Sequence, residues 1–111
     1  MVFNDTMQLI TKEIDAALTA AGSRGSKIIC KFFNPCGAAT WLITGRDEEE
    51  KDILWGLADL GFGCVEFGTM SLSEMEECKL PFGLTIERDL HCNVIGKDFA
   101  EFLDRDSLAG V

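Results

Sequence analysis

At 111 residues, 47% apolar and 26% charged with only two prolines, the chain has the size and composition of one globular domain over residues 1–111, not of a disordered or low-complexity segment. No apolar run approaches the roughly 18 residues of a membrane span, and no basic-then-apolar leader opens the sequence, so a soluble cytoplasmic protein is expected. The net charge is −9, with +1 in residues 1–45 and −10 in residues 46–111; such a surface repels phosphate backbones, which argues against direct nucleic-acid binding and leaves a basic protein as the complementary partner.

Met7, Ile10, Ile14, Leu18 and Ala21 recur at helical spacing, with Ala17 widening the stripe. Asp5 followed by Gln8 fits a capping box, and Gly22 is a natural stop. Ile28, Cys30 and Phe32 then alternate with Lys27, Ile29, Lys31 and Phe33 as a strand. Asn34-Pro35-Cys36-Gly37 supplies a turn in which proline presets φ and glycine accepts the left-handed conformation. The chain returns as a strand over residues 38–44, with Ala39, Trp41 and Ile43 on one face.

The acidic run 47–50 suits the positive end of a helix dipole, which predicts a short helix through residues 51–55 ending near Gly56 or Gly61. Residues 64–70 alternate as a third strand, Ser71 with Glu74 opens a short helix to about Cys78, and residues 84–92 read as a fourth strand. Asp98 and Glu101 suggest a further cap, with Phe99, Phe102 and Leu103 as the buried stripe of a C-terminal helix. The order predicts an α+β fold: a four-stranded antiparallel or mixed sheet with an N-terminal helix, one or two short helices and a C-terminal helix.

Five cysteines at irregular gaps, without a leader, indicate reduced thiols, most of them small core residues. No Cys-x-x-Cys pair exists and His91 is the single histidine, so a zinc finger or ribbon is excluded. Gly56, Gly61, Gly63 and Gly68 match neither a Walker loop nor a dinucleotide fingerprint, and no Gly-x-Ser-x-Gly elbow occurs. His91 and Cys92 are neighbours, so on a strand they face opposite ways and form no dyad.

Two groups of residues remain as candidate sites. Glu87, Asp89 and His91 are spaced by two, and in an extended strand they would project from one face. Two carboxylates and an imidazole so placed can ligate a divalent metal, with Asp59 or Glu66 completing the shell and bound water as the nucleophile of a hydrolase. The plainer reading of that face is a solvated strand whose carboxylates pair with Lys31, Arg46 or Arg88 while Ile86 and Leu90 turn to the core. The second group, Trp55, Phe62 and Phe67, lies in a glycine-rich stretch flanked by Asp59 and Glu66. It suits an apolar patch for a partner or a second copy of the chain, set against burial as core aromatics.

Lys31 and Phe33, Pro35 and Gly37, Ala39-Thr40-Trp41-Leu42, Gly56-Leu57-Ala58-Asp59-Leu60-Gly61, Glu66 to Gly68, Ser71-Leu72-Ser73-Glu74 and Glu87-Arg88-Asp89-Leu90-His91 follow one another in order. Together, over residues 27–92, they resemble a small bacterial family of unknown function, found largely in proteobacteria and often on plasmids, prophages and other mobile elements. The chain departs from that pattern at Val65, where proline is common, and at Cys92, where an aromatic is common. The resemblance implies a bacterial cytoplasm and a mobile-gene setting, and no reaction. The leading expectation is a non-enzymatic accessory protein, without cofactor, that binds a protein partner or pairs as a homodimer. The alternatives are a metal-dependent hydrolase or ligand-binding domain on Glu87, Asp89 and His91, and an acidic mimic of DNA.

Overall fold

The computed structural model describes residues 9–111. Helix α1 spans Lys12–Ala21 and begins where the Thr11 hydroxyl accepts the Ile14 N–H at 3.1 Å. The start expected from Met7, Asp5 and Gln8 lies outside the described residues. Gly22 ends the helix at positive φ, its N–H bonded to the Leu18 carbonyl. Ile10, Ile14 and Leu18 pack on the core, but Ala17 is exposed and does not widen the buried stripe.

Among the described residues, five strands form one antiparallel sheet in the order β4-β3-β2-β1-β5. They are β1 Cys30–Phe33, β2 Thr40–Arg46, β3 Ile53–Asp59, β4 Val65–Ser71 and β5 Glu87–Arg88. The α+β class and the first hairpin agree with the sequence reading. The turn Asn34-Pro35-Cys36-Gly37 forms with the Gly37 N–H on the Asn34 carbonyl at 3.2 Å, while Gly37 keeps negative φ. Asn34 Oδ1 accepts the Cys36 N–H at 2.7 Å, so the asparagine side chain braces the turn and the expected left-handed glycine is not formed.

Four elements differ from expectation. Residues 53–59 are strand β3, not a helix. Asp47 is the reason: its carboxylate accepts the Glu49 and Glu50 N–H groups, and its own N–H bonds the Ile53 carbonyl, which closes a hairpin rather than opening a helix. Gly56 then lies against β2 so closely that an added Cβ would sit 2.2 Å from the Leu42 carbonyl oxygen. The expected strand over residues 84–92 reduces to β5, because the chain turns at Leu90 and His91. The expected C-terminal helix is one 3-10 turn, Phe99–Phe102, capped by Asp98 as foreseen but not continued, and Leu103 is exposed. Ile28 leaves the face of Cys30 and Phe32: its N–H and C=O bond Lys97 and Gly96, whereas Ile29 bonds Ile43.

Both faces of the sheet are covered. Leu18, Cys30, Phe32, Ile43, Leu54, Met75 and Ile86 form the core under α1 and helix α2, Leu72–Glu77. Ile28, Leu42, Leu57, Val65, Val94, Phe102 and Leu108 form the core under the C-terminal segment. Central strand β2 therefore buries both Leu42 and Ile43 completely, as a strand covered on both sides must. Among the described residues, no helix is long and apolar enough to cross a membrane.

Candidate functional site

Strands β3 and β4 carry most of the residues singled out from the sequence. Their register pairs Asp59 with Val65, Ala58 with Glu66 and Leu57 with Phe67. Gly61 and Gly63, both at φ +91°, turn the connecting loop sharply. That turn holds Phe62 at its tip with 85% of its surface exposed, beside a half-exposed Leu60. Trp55 and Phe67 are brought together on the face below, ring centroids 5.9 Å apart, and Phe67 stacks on Phe99 at 4.4 Å. Trp55 also donates its indole N–H to Asp47 at 3.2 Å, so this pair is half-buried and anchored, while Phe62 stacks on neither ring.

Asp59 is almost wholly buried. Its Oδ2 accepts the Leu108 N–H at 2.7 Å and the Ser107 hydroxyl at 3.2 Å, and its Oδ1 accepts the Gly61 N–H at 2.9 Å. Burial alone would raise its pKa, but these three donated bonds outweigh it and hold the carboxyl below its ordinary range. Asp59 thus fastens the C-terminal segment and shapes the start of the hairpin loop. Glu66 is exposed, on the same face as its cross-strand neighbour Ala58.

On that face lies an open groove of about 360 Å³, with Ala58 at its floor and Trp41, Leu60, Met70, Met75 and Cys78 around it. The α2 wall exists because Ser71 caps the helix, accepting the Glu74 N–H at 3.2 Å. Asp52 reinforces the corner by accepting both the Ser71 and Ser73 hydroxyls and the Ser73 N–H. These bonds lower the Asp52 pKa, led by the Ser71 hydroxyl.

Glu87, Asp89 and His91 lie at the opposite edge of the sheet. Asp89 pairs with Lys31 at 3.2 Å and accepts the His91 backbone N–H at 2.8 Å. The His91 bond is the main cause of its lowered pKa, with burial opposing and Lys31 assisting. Lys31 also donates to the Val111 carbonyl at 2.5 Å. The extended strand ends at Arg88, so His91 sits in the turn beyond it, exposed. Among the described residues, no three His, Cys, Asp or Glu side chains gather closely enough to hold a metal ion. Leu90, expected in the core, is 74% exposed, while Ile86 is buried.

Sequence reasoning missed Phe82. It is 95% exposed and is the one described non-glycine residue at positive φ, in the turn Pro81–Gly83. The Pro-Phe-Gly tripeptide was the available signal for a turn, though not for the exposure. Of the cysteines, Cys30 is buried in one core, Cys78 and Cys92 pack half-buried against the two cores, and Cys36 and Cys64 are exposed.

These features define an α+β protein with a five-stranded antiparallel sheet, apolar side chains displayed on its loops and an open groove beside α2. The chain belongs to the DUF2958 family, proteins of unknown function, whose model matches residues 5–110. No curated protein and no solved structure matches it.

Proposed function

We propose that this protein acts by binding another protein, through the surface at and beside the β3–β4 hairpin, as an accessory protein of a mobile element in the bacterial cytoplasm. The observation that carries the reading is Phe62: a large aromatic 85% exposed on a tight loop, with Leu60 beside it. An aromatic this exposed leaves its apolar surface in water with no partner inside its own fold, and such side chains supply the anchors of protein interfaces. The acidity of residues 46–111 supports a partner that is basic around its contact surface. The cytoplasmic and mobile-element setting rests on the family resemblance alone.

Affinity co-purification of the tagged protein from its bacterial host at moderate salt tests the reading, with Phe62→Ser as the control. A stoichiometric protein partner retained by the wild type and lost by the variant supports it. Absence of any such partner overturns it, as does metal-dependent turnover that vanishes on Asp89→Ala or His91→Ala.

A further inference from the structure

The backbone of β4 carries more information than its side chains. The Ile53 carbonyl accepts the Asp47 N–H at 2.9 Å, so the odd-numbered residues of β3 turn their polar groups toward β2. The even-numbered residues Leu54, Gly56 and Ala58 therefore bond toward β4, where their partners are Met70, Gly68 and Glu66. The bond from the Leu72 N–H to the Asp52 carbonyl, 2.8 Å, has the same phase. It follows that Val65, Phe67 and Thr69 aim their N–H and C=O groups away from the sheet. β4 is the edge strand, and among the described residues no hydrogen bond takes up those groups.

A second feature lies on the same strand. Gly68 has no side chain, and a Cβ placed there would meet nothing within 4 Å. Its neighbours Thr69 and Met70 line the apolar groove beside α2. The gap at Gly68 therefore joins the free edge to that groove. Acidic side chains flank it, Glu66 two residues before Gly68 and Glu74 on the groove wall.

We infer that β4 is a strand-addition site for an extended, basic segment of a partner protein. The segment pairs with the outward groups of Val65, Phe67 and Thr69, places a Lys or Arg beside Glu66, and sends an apolar side chain past Gly68 into the groove. Residues two apart on a strand share a face, so the recognised segment carries its basic and apolar residues two apart, apolar-x-basic when it adds antiparallel to β4 and basic-x-apolar when it adds parallel. A second copy of this chain is a poorer occupant: it brings a net charge of −9, and its own β4 contains no basic residue. This inference rests on the protein-binding reading and specifies how the partner is held.

The test is selection of a random nine-residue peptide library on the purified protein, followed by titration of the enriched peptides against wild type, Thr69→Pro and Gly68→Val. Thr69→Pro removes an outward N–H without removing a sheet bond. Gly68→Val fills the gap and leaves the edge intact, so it still reports if the proline variant does not fold. Enriched peptides with a basic and an apolar residue two apart are expected, with affinity about tenfold lower or worse in each variant. Amide shifts on binding should centre on Val65, Phe67 and Thr69. No enrichment, or equal binding to all three proteins, overturns the inference. A host partner lost by Phe62→Ser but kept by Gly68→Val and Thr69→Pro overturns it while leaving the protein-binding reading intact. A concentration-dependent dimer abolished by Thr69→Pro assigns the edge to a second copy and likewise overturns it.

Discussion

The Asp59 carboxylate and the Leu108 backbone N–H meet at 2.7 Å across 49 residues of chain, inside the protein. Asp59→Ala leaves that N–H and the Gly61 N–H without their acceptor and frees the segment that carries buried Leu108. A loss of about 2–3 kcal/mol is expected from unsatisfied buried donors, read as a lower urea midpoint. Amide exchange at Leu108 should accelerate in the same variant.

Acid should act through the same contact. Asp59 and Asp89 both titrate below their ordinary range when folded. Their contribution is fully present above the unfolded carboxyl pKa of about 4 and is lost as pH falls through the lower folded values. Stability is thus expected to drop below about pH 4, and Asp59→Asn should flatten that part of the profile. An unchanged slope in urea titrations of the variant would disprove the assignment.

Two glycines on neighbouring strands should respond in opposite ways. Gly56→Ala drives a Cβ to 2.2 Å from the Leu42 carbonyl oxygen, and about 1–3 kcal/mol of destabilisation is expected from such overpacking. Gly68→Ala meets open space and should be neutral or stabilising by up to about 1 kcal/mol, since glycine is the poorer strand residue. Thermal melts of the two variants decide the matter directly.

How much of this was legible in the chain depends on how far apart the deciding residues lie. α1, the first hairpin, the Ser71 cap and the Asp98 cap all follow from neighbours within a few residues, and all are present. β3 reads as a helix in the sequence because an acidic run ahead of Ile53 resembles a helix start, whereas Asp47 closes a turn on the backbone that follows it. The role of Asp59 could not be read locally, since its partners Ser107 and Leu108 come almost half the chain later. The exposure of Phe62 was open for a related reason: only the tight loop made by Gly61 and Gly63 decides that it projects.

Thiol reactivity should separate the cysteines in the native state. Burial pushes the Cys30 thiol up to about 12, whereas Cys36 and Cys64 are exposed. Alkylation at neutral pH should modify Cys36 and Cys64 first and leave Cys30 untouched until the protein unfolds. Early labelling of Cys30, read by peptide mass mapping, would show that the core around Phe32 opens more readily than its packing implies.

Lys31 and Asp59 both reach from the meander β1–β4 to the C-terminal third of the chain, Lys31 to Asp89 and Val111, Asp59 to Leu108. The meander pairs strands that follow one another, while β5 returns to β1 from the far side of α2. Short-range pairings close sooner than long-range ones. The sheet from β1 to β4 is therefore expected to assemble first and the C-terminal third last, as a lashing drawn over a frame already built.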